Sequence, residues 1–239
     1  MIVNYSEEGW EIITQRSHGL LAAQICAQWR KDLQPDRWVE TLIATAEHDD
    51  VYNEFENDDL LNDNGGPLNF KATGFRKDYC ERLIGMAETK SAYIALLVSQ
   101  HIQFVHRTDP KAGRFIADLV KREKHWISVA ESSRAEVRRG YALLEFCDAM
   151  SLLLCQQLVQ PEQRKIEISN GPDGTHYTMW EQKGNLTVDP WPFEQDTFKL
   201  SYESRILPQL SYKNIAEFRK AIHGAKVLTN TLNIVRGSI

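Results

Sequence analysis

Residues 135–159 read AEVRRGYALLEFCDAMSLLLCQQLV. Val137, Tyr141, Leu144, Leu152 and Cys155 recur at i, i+3/i+4, the period of a helix with one apolar face. Asp148 and Ser151 fall on that same face. An unpaired carboxylate in an apolar interior costs several kcal/mol or gives up its charge, so Asp148 needs a compensating partner. The anomaly recurs upstream. A helix over 17–30, capped by Ser17, carries the row His18, Leu21, Ala22, Ile25, Trp29. A second over 36–50, capped by Asp36, carries Trp38, Leu42, Thr45, Ala46 and Asp49, with His48 beside the last. A helix over 91–107 carries Ile94, Leu97, Val98, His101 and Val105.

Helices over 75–89 and 110–131 complete the helical stretch, the latter with Pro110 in its first turn. Residues 51–73, with Asn64-Gly65-Gly66-Pro67, are too turn-rich for a helix. Loops of that length inside a domain are often functional, and this one follows His48-Asp49 directly, where it would wall or cover a site.

The chain ends alternate with a period of two. Residues 2–5 and 10–13 suggest a hairpin turning at Gly9. After Pro161, strands are expected over 165–169, 175–180, 186–188, 198–202 and 227–235, with a short amphipathic helix marked by Ile215, Phe218 and Ile222. Neither set of strands is stable alone, so pairing them is economical. The expected fold is mainly α with an added small antiparallel β-sheet, built from the N-terminal hairpin and the C-terminal strands. One domain spans 1–239: the hairpin at 1–15, a helical core at 17–159, and a β-rich subregion at 160–239 packed on that core. Trp180, Trp191 and Phe193 are expected to pack between sheet and helices.

With 239 residues, 42% of them hydrophobic and 26% charged, the chain has the balance of an ordinary globular protein. Lys and Arg total 28 against 33 Asp and Glu, a net charge of −5 with no basic block, which argues against long nucleic acid as a partner. The longest clean apolar run, residues 93–98, is far too short to span a bilayer. The first ten residues lack a secretory pattern, and Cys26, Cys80, Cys147 and Cys155 form no CxxC pair. A reduced, cytoplasmic setting is expected.

A divalent metal would satisfy His18, His48, Asp49 and Asp148 together. Imidazole and carboxylate donors without thiolate suit Mn, Fe, Ni, Co or Zn in a reactive rather than a structural site. Ordinary packing is the competing account: each His as a hydrogen-bonded core residue, Asp148 paired with Arg138 or Arg139, Asp49 as a helix-end cap.

The order His18, then His48-Asp49 thirty residues on, then Asp148 in a late helix resembles the HD-domain superfamily. Its members are helical proteins, many of them phosphohydrolases, that hold a metal between helices. An uncharacterised HD-like bacterial family is similar over most of the chain. That similarity lies in Met1-Ile2-Val3, Ile13-Thr14-Gln15-Arg16-Ser17-His18, Ala46-Glu47-His48-Asp49-Asp50, Ala95-Leu96-Leu97-Val98-Ser99-Gln100-His101, Phe146-Cys147-Asp148-Ala149-Met150-Ser151-Leu152 and Trp191-Pro192-Phe193. The resemblance implies His18, His48, Asp49 and Asp148 as metal ligands. It puts His101 where some HD proteins bind a second metal or the scissile phosphate. The adjacent-histidine signature of the two-metal cyclic-dinucleotide phosphodiesterases is missing.

The expected activity is metal-dependent hydrolysis of a phosphate ester, a nucleotide-like small molecule being one candidate. Asp49 would bind the metal and orient water, with Glu47 and Asp50 as candidates for general base or orienter; surface charge at a helix end is their alternative. Arg16, Lys71, Arg76 and His101 are the candidate phosphate contacts. Two other readings stand beside this one: an HD-like di-iron oxygenase, and a catalytically inactive HD-fold binding or regulatory module. A second copy of the chain, forming a homodimer, is the remaining partner considered.

Overall fold

The computed structural model describes residues 1–237. The chain opens with β1 (Ile2–Ser6) and β2 (Gly9–Ile13), then runs through α1 (Gln15–Ala27), α2 (Trp38–Glu47), α3 (Lys77–Glu88), α4 (Ala92–His106), α5 (Gly113–Val129) and α6 (Arg134–Cys155). It continues with β3 (Ile166–Asn170), β4 (His176–Gln182), β5 (Asn185–Asp189), β6 (Thr197–Leu207), α7 (Ile215–Gly224) and β7 (Val227–Val235). Helix α6 starts with a capping box in which Ser133 and Glu136 satisfy each other's backbone N–H groups. Ser91 caps α4. Thr14, not Ser17, caps α1, so that helix begins one turn early. Pro110 lies in the turn before α5 rather than in its first turn.

The mainly-α expectation is corrected by the sheet. About 44% of the chain is helical and 22% strand, and the strands form one curled, mixed seven-stranded sheet in an α/β arrangement. Its order is β1-β2-β6-β7-β5-β4-β3. Five of its six strand pairings are antiparallel and would make two separate pieces; the parallel contact of β5 with β7, at Leu186 and Ile234, joins them. The expected strand at 198–202 falls in the first half of an eleven-residue strand, β6, which pairs with β7 from Thr197↔Val235 to Arg205↔Val227 and, on its other edge, with β2 over 205–207. Short apolar runs, taken one at a time, concealed a sheet large enough to form a full layer.

The sheet packs on α1 and α6. Leu21, Ile25, Trp29, Phe146, Met150 and Leu154 meet Met179, Val188, Leu200 and Ile234 in one core. Trp29 lies edge-on to Phe146, Tyr177 and Phe193 at 5.1, 5.9 and 6.3 Å, so Phe193 is a packing residue. A second core lies on the far side of α6, where α2, α3, α4 and α5 bury Ala44, Ile84, Leu97, Leu119 and Trp126 with Leu144. Between the cores, α1 passes close against α2: a Cβ on Gly19 would lie 2.6 Å from the Ala46 carbonyl oxygen. That contact brings the start of α1 onto the end of α2. Among the described residues, no helix is long and apolar enough to cross a membrane.

Candidate metal centre

Four helices deliver side chains to one point. His18 is in the first turn of α1, His48 caps the C-terminus of α2, His101 is in the second half of α4, and Asp148 is in α6; Asp49 follows His48 in the turn. All three imidazoles are buried. His18 Nε2 lies 3.2 Å from His48 Nε2, and Asp148 Oδ1 lies 3.0 Å from the first and 3.3 Å from the second. Asp49 Oδ2 is 3.8 Å from His48 Nε2, and its Oδ1 is 3.8 Å from His101 Nε2.

The outer face of each ring fixes which nitrogen carries the proton. His48 Nδ1 is 2.8 Å from the Thr45 carbonyl, which only accepts, so Nδ1–H donates there. His18 Nδ1 is 2.8 Å from Ser151 Oγ, whose own hydrogen goes to the Asp148 carbonyl at 2.9 Å; Oγ therefore accepts from His18. Both rings present an Nε2 lone pair to the other and to Asp148. Despite its proximity, Asp148 Oδ1 receives no in-line hydrogen bond among the described residues. Three electron-pair donors this close repel unless a proton or a cation sits among them, and outward-anchored imidazoles with a convergent carboxylate are the arrangement of a metal site. The residues thus fit a divalent ion.

The electrostatics express the same demand. Burial alone disfavours a charged His48, but the Asp148 and Asp49 carboxylates outweigh it and push the imidazole up to about 9. Burial opposes ionisation of Asp148 and Asp49 too. It is overcome by His48 and His18 at Asp148, which lies well below the usual carboxylate range, and by His48 and His101 at Asp49, which is also lowered. Two ligand trios meet the spacing for an ion: His18, His48 and Asp49, and His48, His101 and Asp148. Both trios use His48, whose Nδ1 is taken by the Thr45 carbonyl, so they share one donor nitrogen.

Asp49, His101 and Asp148 line a cleft of about 540 Å³, while His18 and His48 are fully buried and do not reach it. Tyr52, Phe70 and Thr73, from the loop at 51–73, form one wall. The turn between α4 and α5 forms another, where Asp109 accepts from the backbone N–H of Phe75 at 3.0 Å and of Lys111 at 2.9 Å. His106, expected only at a helix end, also lines the cleft, and burial lowers its pKa.

Two expected catalytic candidates are placed elsewhere. Glu47 turns to Lys90 at 3.0 Å, and Asp50 holds Arg16, whose guanidinium also donates to the Asp50 carbonyl at 2.7 and 3.1 Å. They flank His48 and Asp49 at the end of α2, and neither lines the cleft. Arg76 is held by Asp59 and Asp78, and Lys71 is exposed; neither lines the cleft. The cleft's lysine is Lys111, which makes no ion pair among the described residues and which no sequence pattern marks. Gln15 was also missed. It donates from Nε2 to Asp49 Oδ2 at 2.9 Å, and its position three residues before His18, on the same face of α1, was the available clue. Glu54 was missed as well: buried in the loop, it accepts from the backbone N–H of Gln15 at 3.0 Å and pairs with the Met1 amino group at 3.1 Å.

Residues 1–209 match the family described as "Protein of unknown function (DUF3891)", and the chain belongs to that family. No curated protein and no solved structure matches it.

Proposed function

From a family that carries no assigned activity, we propose that this chain is a metal-dependent hydrolase of a small phosphate ester, using the HD-type set His18, His48, Asp49 and Asp148 with His101 beside it. The observation that carries the reading is the convergence of two anchored Nε2 atoms and Asp148 Oδ1, within 3.0–3.3 Å of each other, next to a ligand-sized cleft that Asp148 itself lines. Bound there, Mn, Fe, Ni, Co or Zn would supply Lewis acidity, lowering the pKa of a bound water and polarising a phosphoryl oxygen.

The chain's own residues divide the remaining work. Ser151 and the Thr45 carbonyl hold the two rings in the tautomer that offers Nε2. His101 faces the cleft beside Asp49, within reach of a phosphoryl oxygen. Lys111 gives one positive charge, while both Asp109 oxygens are occupied by backbone N–H groups. Phe70, Phe75, Val105 and Leu152 offer an uncharged surface to the rest of the substrate. One lysine suits a monophosphate better than a polyphosphate chain. Four free, buried cysteines suit a reducing compartment such as the cytoplasm.

Elemental mass spectrometry tests the reading on protein prepared without chelators or a metal-binding tag, comparing the parent with His48→Ala and Asp148→Ala. Near-stoichiometric metal in the parent, lost in both variants with helical circular dichroism retained, is the expected result. Hydrolysis of aryl phosphates and nucleoside monophosphates with that metal should follow. Equal metal in all three proteins, or none after reconstitution, overturns the assignment.

A further inference from the structure

Gln15 is held at two points. Its backbone N–H donates to the buried carboxylate of Glu54, and its side-chain Nε2 donates to Asp49 Oδ2 at 2.9 Å. An amide's oxygen and nitrogen are easily interchanged, but an ionised carboxylate only accepts, so Asp49 fixes the nitrogen toward itself. The carbonyl oxygen must then face the other way. Gln15 is 4% exposed and lines the cleft, and its Oε1 is buried with no hydrogen-bond partner among the described residues. An unpartnered acceptor fastened in one orientation, on a residue that lines the cleft beside a candidate metal-site carboxylate, calls for a donor, and the cleft is the open space next to it.

We propose that this donor is the attacking water and that Gln15 is a catalytic residue orienting it for phosphoryl transfer; the proposal rests on the hydrolase reading above. Water has two hydrogens to place, and an acceptor on one of them turns the oxygen lone pair toward phosphorus. The water oxygen bonds to phosphorus as the ester P–O bond breaks. One proton stays on the phosphate product, and the other ends on the leaving oxygen. Gln15 itself keeps its protons throughout, since its role is geometric.

The test uses the metal-loaded full chain and p-nitrophenyl phosphate, comparing the parent, Gln15→Met and Gln15→Glu. Gln15→Met matches the volume and removes the acceptor. Its metal content should equal the parent's, KM should change less than twofold, and kcat should fall about 100-fold, the range of a lost positioning or proton-handling group. Gln15→Glu restores an acceptor and should recover part of that loss. An unchanged kcat in Gln15→Met overturns the proposal alone, and loss of metal in that variant overturns it by reducing Gln15 to a support for Asp49. A parent that binds metal but hydrolyses neither this ester nor phenyl phosphate overturns the hydrolase reading, and this proposal with it.

Discussion

Substituting alanine for Gly19 should disable the proposed metal centre without touching a proposed ligand. A Cβ there would fall 2.6 Å from the Ala46 carbonyl oxygen, where ordinary contact begins near 3.4 Å, so α1 and α2 must part by about 0.8 Å. His18 is the next residue on α1, and His48 is two residues beyond Ala46, so the displacement acts on their 3.2 Å separation. Metal sites tolerate ligand displacements of about 0.2 Å. Metal affinity, read by competition with a fluorescent chelator, should therefore fall at least about tenfold, or about 1.4 kcal/mol. Overpacking a helix contact costs about 1–3 kcal/mol, which for a chain of this size lowers the melting temperature by about 2–4 °C per kcal/mol. Gly85, in α3, has nothing within 4 Å of its would-be Cβ and serves as the control. Gly85→Ala should gain about 0.5–1 kcal/mol from helix propensity and bind metal as the parent does. If Gly19→Ala binds metal with the parent's affinity, the close helix approach does not set the geometry of the centre.

His48, pushed up to about 9, must release its proton before an ion can bind, so metal affinity should rise by about tenfold per pH unit from about 6.5 to 9. Calorimetry in buffers of different ionisation enthalpy should register close to one proton released near neutral pH; a flat pH profile would contradict the tautomer assignment. In chelator-treated protein the sign reverses. The folded His48 is raised above its unfolded value, so its contribution to stability is complete below about pH 6.5 and is lost as pH rises through about 9. Melting curves from pH 6 to 10 should show that decline. Phe146→Ala, at a fully buried ring 5.1 Å from Trp29 and 5.0 Å from Tyr177, should cost about 3–5 kcal/mol in denaturant unfolding, with unchanged metal content in the folded fraction.

The residues that converge were legible because each one violated a local rule. His18, His101 and Asp148 occupied core positions of helical stripes, and periodicity locates such positions without knowledge of the tertiary fold. Glu47 and Asp50 illustrate the limit of that approach. Adjacency to His48 and Asp49 put them near the centre in sequence, yet successive residues at a helix end point in directions about 100° apart, and both turned to nearby cations instead. Lys111 and Phe75 reach the cleft from turns whose placement depends on long-range packing, and no local pattern encodes that. The strands were legible one at a time; their assembly was not. The parallel contact between β5 and β7 crosses an intervening strand and helix, so it depends on tertiary partners rather than on the alternation of either segment.

The place of β7 between β6 and β5 has a consequence for the order of events during synthesis. Helix α1, carrying His18, leaves the ribosome early, while its sheet partners come late: Ser17 Oγ bonds to the backbone of Glu203, 186 residues further on. Until β6 and β7 arrive, the core over α1 and α6 lacks Leu200 and Ile234, and the β3-β4-β5 piece has no strand linking it to the N-terminal hairpin. Such non-local closure is slow and leaves nascent chains prone to aggregation. The candidate ligands, the last of them Asp148, are thus synthesised well before the sheet that backs α1 and α6 is complete.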